Sequence, residues 1–236
     1  MVKIRDIFFP RTAKCIACGD IYGQEEDWLC PSCSLALEKS ACGSFPARRG
    51  IDHAYACYEY TGPARSMVLS LKYGAVRSLA PVMGKRMADA VRSGRIPKCD
   101  AVTSVPMPRM RRMRRGIDHT RELARAFCAE TGWAWEELLV RRKAGRRQAS
   151  LSHEQREENA RGAFAASEGA KGRVVLVIDD VYTTGSTALA CARALKKAGA
   201  KGVCFVCFAK TPAAGGRDGK KRARFRMKKP GGGEKP

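Results

Sequence analysis

Apolar residues in this chain fall into short runs separated by amphipathic stretches. Val174-Val175-Leu176-Val177-Ile178 is unbroken and mostly β-branched, the pattern of a parallel strand buried on both faces. Gly202 to Ala209 is a second such run, and Ala101 to Val105 a third, stopped by Pro106. Ala54 to Tyr60 alternates and reads as a strand turned by Thr61-Gly62-Pro63. Between these runs the spacing is helical. Arg65 to Lys72 places Met67, Val68 and Leu71 on one face, and Ser78 to Val91, Arg121 to Glu130 and Ala188 to Ala200 follow the same period. Trp133 to Val140 ends in a short strand. Strands alternating with helices predict an α/β domain built on a parallel sheet.

Both ends depart from this pattern. Cys15-Ile16-Ala17-Cys18 and Cys30-Pro31-Ser32-Cys33 form C-x2-C-x11-C-x2-C in a segment too small to bury a core of its own. Two such knuckles turn four sulfurs toward one point, the ligand set of a closed, structural Zn²⁺ site; four free core cysteines, or a redox pair, is the alternative. The other end, from about residue 213, combines a glycine-rich linker with the basic run Lys220 to Lys229, too polar to fold alone. The expected organisation is a four-cysteine zinc module over 1–45, an α/β domain over 46–212 and a basic, disordered tail over 213–236. Net charge is +22 in 236 residues, concentrated at Arg109 to Arg115, Arg141 to Arg147 and the tail. Such a balance favours nucleic acid or anionic small molecules as partners. No apolar run approaches the ~20 residues of a membrane span. The N-terminus lacks the apolar core of an export signal, so a cytoplasmic location is expected.

The chemistry sits after the first strand. Asp179 and Asp180 follow the apolar run, and Thr183-Thr184-Gly185-Ser186-Thr187 then leads into a helix. Backbone N–H groups and hydroxyls at a helix N-terminus suit a phosphate monoester, and neighbouring carboxylates accept hydrogen bonds from sugar hydroxyls. No Lys follows the glycine, so this is not a P-loop. The segment from Val175 to Thr187 resembles the signature of type I phosphoribosyltransferases. The resemblance implies that the acid pair holds the ribose hydroxyls of phosphoribosyl pyrophosphate (PRPP), that the loop holds its 5-phosphate, and that Mg²⁺ accompanies the pyrophosphate.

A second anion site is expected at another strand end, and Val105-Pro106 to Arg115-Gly116 is the candidate, with Arg114 and Arg115 offering guanidiniums suited to phosphate. The polar stretch from Arg141 to Phe164 has the length of a lid. His153, within it, is given no catalytic role. The order of motifs — four cysteines, Tyr58-Glu59-Tyr60-Thr61-Gly62-Pro63, Leu71-Lys72-Tyr73-Gly74, Arg114-Arg115-Gly116, Gln148 with Leu151, Arg156 and Asn159, then the acid–hydroxyl loop — resembles the ComF family of competence-associated phosphoribosyltransferase-like proteins. That resemblance implies Lys72 facing pyrophosphate, a role in DNA uptake, single-stranded DNA as a partner, and contacts with competence-machinery proteins. One departure stands out: where the family often has Arg-Gly-Phe-Asn-Gln, this chain has Arg115-Gly116-Ile117-Asp118-His119. The alternative function is a metabolic phosphoribosyltransferase that transfers ribose 5-phosphate to a nitrogen nucleophile, with Asp179 and Asp180 as its catalytic residues. Tyr22 and Trp28 are candidates either for stacking on bases or for filling the cysteine module.

Overall fold

A computed structural model of the chain describes residues 12–23, 28–74, 76–93, 96–142 and 162–212. Most of the expected lid, including Gln148 and His153, and the basic tail lie outside the described residues. Two short strands, β1 (Thr12–Lys14) and β2 (Ile21–Gly23), pair antiparallel, and helix α1 (Pro31–Lys39) follows. The main sheet comprises β3 (Ala41–Ser44), β4 (His53–Glu59), β5 (Ala101–Ser104), β8 (Val174–Tyr182) and β9 (Gly202–Lys210). Its order is β3-β4-β9-β8-β5, parallel throughout except at the β3–β4 edge. Five helices connect its strands: α2 (Gly62–Tyr73), α3 (Leu79–Arg92), α4 (Arg109–Arg115), α5 (His119–Thr131) and α6 (Ser186–Lys197). A small antiparallel pair, β6 (Leu139–Arg141) and β7 (Phe164–Ala166), lies beside them.

Alternation along β8 distributes the core over two faces. Leu176 and Ile178 pack with Met83, Met87, Leu123 and Phe127 of α3 and α5. Val175 and Val177 pack with Cys191 and Leu195 of α6. Both faces are covered, which explains why these strands read as continuous apolar runs rather than alternating ones.

Several elements differ from the sequence expectation. The acid pair does not end its strand: β8 continues to Tyr182 because β9 is equally long, and Val181 and Tyr182 pair with Ala209 and Lys210. The arginine-rich segment, expected as a loop, forms α4. Arg and Met are good helix formers, Pro108 precedes the first turn, and Gly116 closes it at φ +68°. Residues 41–44 join the main sheet as β3, so the chain leaves the cysteine region before Ala41. Tyr22 and Trp28 are half-buried and pack against the main core.

The α3–α5 crossing depends on one glycine. A Cβ on Gly84 would lie 2.5 Å from Ala126 Cβ and 2.9 Å from both Ala126 C and Phe127 N. Alanine is the better helix former by ~1 kcal/mol, but forcing apart two packed backbones typically costs ~1–3 kcal/mol. Gly84→Ala is therefore expected to lower stability, and Gly84→Val to lower it further. Urea unfolding of the three proteins checks this; an alanine variant as stable as the parent would show that the crossing has slack.

Candidate functional site

Because β8 runs through the acid pair, its two carboxylates leave the strand on opposite faces. Asp180 follows Leu176 and Ile178 toward α2 and α5, whereas Asp179 follows Val175 and Val177 toward α6. Both are buried, at 8% and 4% exposure for Asp179 and Asp180. A buried carboxylate stays ionised only where cations or donors replace its water. Asp180 has them: Lys72 Nζ lies 2.9 Å from Oδ1, and His119 Nε2 lies 2.5 Å from Oδ2. Burial alone would raise the Asp180 carboxyl, but His119 and Lys72 outweigh it and hold this group below the ordinary carboxylate range. Among the described residues Asp179 has as hydrogen-bond donor the Asp180 backbone N–H, donated to its Oδ1 at 2.8 Å. Burial, and then the charge of Asp180, raise it well above that range. The two adjacent carboxyls are thus pushed in opposite directions.

Each partner is delivered by a helix end. Lys72 occupies the last turn of α2, where a cation complements the helix dipole. His119 opens α5 immediately after its cap, Asp118, whose side chain accepts from Arg121 N. Thr120 Oγ1 donates to Val105 O at 2.8 Å and ties that turn to the end of β5. Asp118, which stands where the resembled family often has an amide, therefore serves as a helix cap.

The acids open into a cavity of about 370 Å³, whose wall includes Tyr60, Arg111, Arg115, Arg141, Thr183 and Thr187 beside Lys72 and His119. Arg115 stacks over the Tyr73 ring at 4.8 Å and reaches His119 Nδ1 at 3.4 Å. A second cavity of about 500 Å³ adjoins it, lined by Lys72, Tyr73, Arg111, Arg114 and Arg115. Arg114 contributes only to this second basin. Of the hydroxyl loop, Thr183 and Thr187 reach the first cavity. Thr184 Oγ1 instead lies 2.9 Å from Ser186 Oγ, and Gly185 sits buried at φ +75° before α6. That φ favours glycine, and a Cβ there would also collide with the Tyr182 hydroxyl. Thus Lys72, Asp179, Asp180, Arg115, Thr183 and Thr187 converge, while Thr184, Gly185 and Ser186 shape the turn.

His119, Arg111 and Arg141 were not singled out from the sequence. The last two lie within basic clusters that were noticed; His119 had no signal beyond its place after Asp118, because its partner is 61 positions away and appears only on folding.

At the other end, the Sγ atoms of Cys15, Cys18, Cys30 and Cys33 all lie within 4.8 Å of one another. Cys18 and Cys30 sulfurs are 3.7 Å apart, close to the ~3.8 Å edge of a tetrahedron with Zn–S of ~2.3 Å. Burial opposes ionisation of Cys15, but the backbone N–H groups of Cys18, Cys30 and Ala17 bring its thiol down to about 6. Four soft donors in this geometry fit a zinc ion.

The family model described as phosphoribosyl transferase domain matches residues 114–228. The DNA utilization protein YhgH of Salmonella typhi is 29% identical over 194 residues, covering 78% of this chain and 84% of that protein. Its counterpart in Escherichia coli strain K12 is 28% identical over 195 residues, with the same coverage. Among solved structures, the allosteric regulatory enzyme of purine biosynthesis superposes with a TM-score of 0.41 at 25% identity, covering 56% of this chain; the chain spans only 26% of that structure. Adenine phosphoribosyltransferase from Leishmania tarentolae gives a TM-score of 0.41 at 13% identity, covering 71% of this chain and 94% of that one. With the acid–hydroxyl segment at the carboxyl end of a central parallel strand, the chain has the type I phosphoribosyltransferase fold, preceded by a four-cysteine cluster able to hold zinc.

Proposed function

We propose that this chain is a ComF-like protein that binds PRPP and works on single-stranded DNA in the cell's uptake or use of DNA. The observation that carries the first half is the convergence of the split acid pair with Lys72, Arg111, Arg115, Thr183 and Thr187 on one cavity. Ribose hydroxyls would meet the acids, the 5-phosphate would meet Thr183, Thr187 and the open N–H groups of α6, and pyrophosphate would meet the cations. The name carried by the relatives supports the DNA half, as does the charge of +22. Transfer, if an acceptor binds, breaks the bond from the anomeric carbon to pyrophosphate oxygen and forms one to a nitrogen; the arginines would stabilise the departing anion.

Both metals can be weighed against the donors present. Zinc fits the four sulfurs and would supply structural cross-linking. Among the described residues magnesium has no comparable seat: Asp180 is occupied by Lys72 and His119, and Asp179 is the one other carboxyl lining the cavity. No resident Mg²⁺ site is therefore assigned, and the ion is expected to travel with the pyrophosphate.

Titration calorimetry with Mg²⁺–PRPP tests the pocket. Asp180→Asn and Lys72→Met should each weaken binding by roughly tenfold to a hundredfold, the worth of a charge-assisted hydrogen bond of ~1.5–3 kcal/mol. Equal affinity across these proteins would place PRPP elsewhere. Pyrophosphate release on addition of a nitrogen nucleophile alone would favour the metabolic reading. Loss of DNA binding with salt, at a slope shallower by ~0.7 for each phosphate contact removed by Arg→Ala changes in α4, would favour the nucleic-acid reading.

Reduced, freshly purified protein is expected to hold one zinc per chain, and Cys30→Ser to release it. Leu37 belongs to the main core, and Arg86 of α3 pairs with Glu38 of α1 at 2.6 Å. Zinc loss should therefore lower the melting temperature of the whole domain as well as unravel the cysteine region. Metal analysis with thermal unfolding reads both; a zinc-free protein with unchanged melting would remove the metal from the structure.

A further inference from the structure

The second cavity has a lining that the first does not explain. Its walls are Lys72, Tyr73, Arg111, Arg114 and Arg115: four cations, one aromatic ring and no carboxyl group. Arg111, Arg114 and Arg115 stand three and four positions apart on α4, which places them on one face of that helix. Arg109 and Arg112 bring its arginines to five in seven residues, and no residue of α4 is buried. Among the described residues no carboxylate pairs with any of the five. The chain therefore gathers guanidiniums without a counter-charge of its own, and the like-charge repulsion between them is relieved by a bound polyanion.

Tyr73 supplies what a pyrophosphate does not need. It ends α2 and is 64% exposed. The Arg115 guanidinium lies 4.8 Å from the ring centroid, and its Nη2 donates to the Tyr73 hydroxyl at 3.2 Å. The ring is thus held in one orientation at a cation-lined wall, with most of its surface open to solvent. A phosphate or pyrophosphate takes guanidinium and ammonium groups and gains nothing from an exposed ring. A phosphate that carries an unstacked base uses both features, because the base stacks on the ring while the phosphate meets the arginines. In a duplex the base faces are already stacked on one another and are not free for Tyr73.

We propose that the second cavity seats a phosphate-and-base unit of a single-stranded nucleic acid, with Tyr73 as stacking platform and Arg111 and Arg114 as phosphate ligands, and that this strand and PRPP displace one another. The inference rests on the proposed function, PRPP in the first cavity and single strands as partners. Lys72, Arg111 and Arg115 line both cavities, whereas Arg114 lines only the second. A bound pyrophosphate occupies the shared donors and sets its own negative charge against the phosphates of the strand. Such coupling is reciprocal: the factor by which PRPP weakens the strand is the factor by which the strand weakens PRPP. PRPP then acts as a signal that releases the strand from this site.

Fluorescence anisotropy with labelled oligo(dT) and oligo(rU) of about 15 nucleotides tests this on the full chain, in variants first shown to melt like the parent. Tyr73→Ala should weaken binding of both about tenfold, and Tyr73→Phe less than twofold, since phenylalanine keeps the ring. The tighter of the two oligonucleotides identifies the strand. Arg114→Ala should make the salt slope shallower by ~0.7, yet leave the calorimetric affinity for Mg²⁺–PRPP within about twofold. Saturating Mg²⁺–PRPP should weaken oligo(dT) binding at least about fivefold, and saturating oligo(dT) should weaken PRPP by the same factor. Oligonucleotide binding indifferent to Tyr73→Ala and Arg114→Ala would put the strand elsewhere on the chain and overturn the proposal. An Arg114→Ala loss of PRPP affinity equal to the loss for the strand would overturn it too, by making the second cavity part of the PRPP site. Simultaneous binding with no mutual effect would overturn the displacement. A parent chain that binds no oligonucleotide would remove the single-strand half of the proposed function as well. A chain that binds strands but no PRPP would remove the other half and the displacement, and the Tyr73 and Arg114 variants would still decide where the strand sits.

Discussion

Much of this structure depends on keeping a charged carboxylate buried at the end of a parallel strand. β8 has β9 and β5 on either side and helices on both faces, so Asp180 reaches water poorly from any direction. An unpaired carboxylate there would cost several kcal/mol or lose its charge. Lys72 and His119 prevent that, and each is placed by a helix terminus, the end of α2 and the start of α5. The end of α2, the start of α5 and the tip of β5 therefore converge on one atom group. The cavity is the space left where they meet.

The split between the two acids has the same origin. Since the strand does not stop at Asp179, pleating sends adjacent carboxyls to different faces. Asp180 enters the face where Lys72 and His119 lie. Asp179 enters the α6 face, beside Cys191 and Cys207, whose thiols are themselves pushed up by burial and, secondarily, by neighbouring groups that include Asp179. Two identical side chains in sequence thus meet different surroundings, one beside Lys72 and His119 and the other without a cation at contact distance among the described residues.

What could be read from the sequence was whatever local pattern encodes. The unbroken apolar runs gave the buried strands, because parallel strands covered on both faces need no polar alternation. The cysteine spacing gave the cluster, and the acid–hydroxyl segment gave its own location. What escaped was set by pairing over distance. Ala41 to Ser44 is a strand because β4 offers an open edge, not because of its composition. The arginine-rich segment looks like a solvated loop until Gly116 is seen to close a helical turn. His119 looks unremarkable in sequence because the carboxylate beside its Nε2, Asp180, is 61 positions away. Lys72 was assigned to the pyrophosphate by resemblance; in the ligand-free chain its ammonium is held by Asp180.

That last contact carries a consequence for how the site would fill. Lys72 and Arg115 are both engaged by protein groups, one by Asp180 and the other by His119 and Tyr73. The cations are therefore restrained near the cavity without a bound anion, which limits the ordering entropy lost when one arrives. The arrangement also makes binding an exchange. Under the proposed function, an incoming pyrophosphate would compete with Asp180 for Lys72, and incoming ribose hydroxyls would compete with Lys72 for Asp180. Each exchange alone leaves a buried charge short of a partner; both together leave none. A ligand that carries ribose and pyrophosphate on one frame satisfies the two at once, whereas separate fragments incur the imbalance. On the proposed function, the geometry around Asp180 would thus favour the intact molecule over its parts by more than the sum of their contacts.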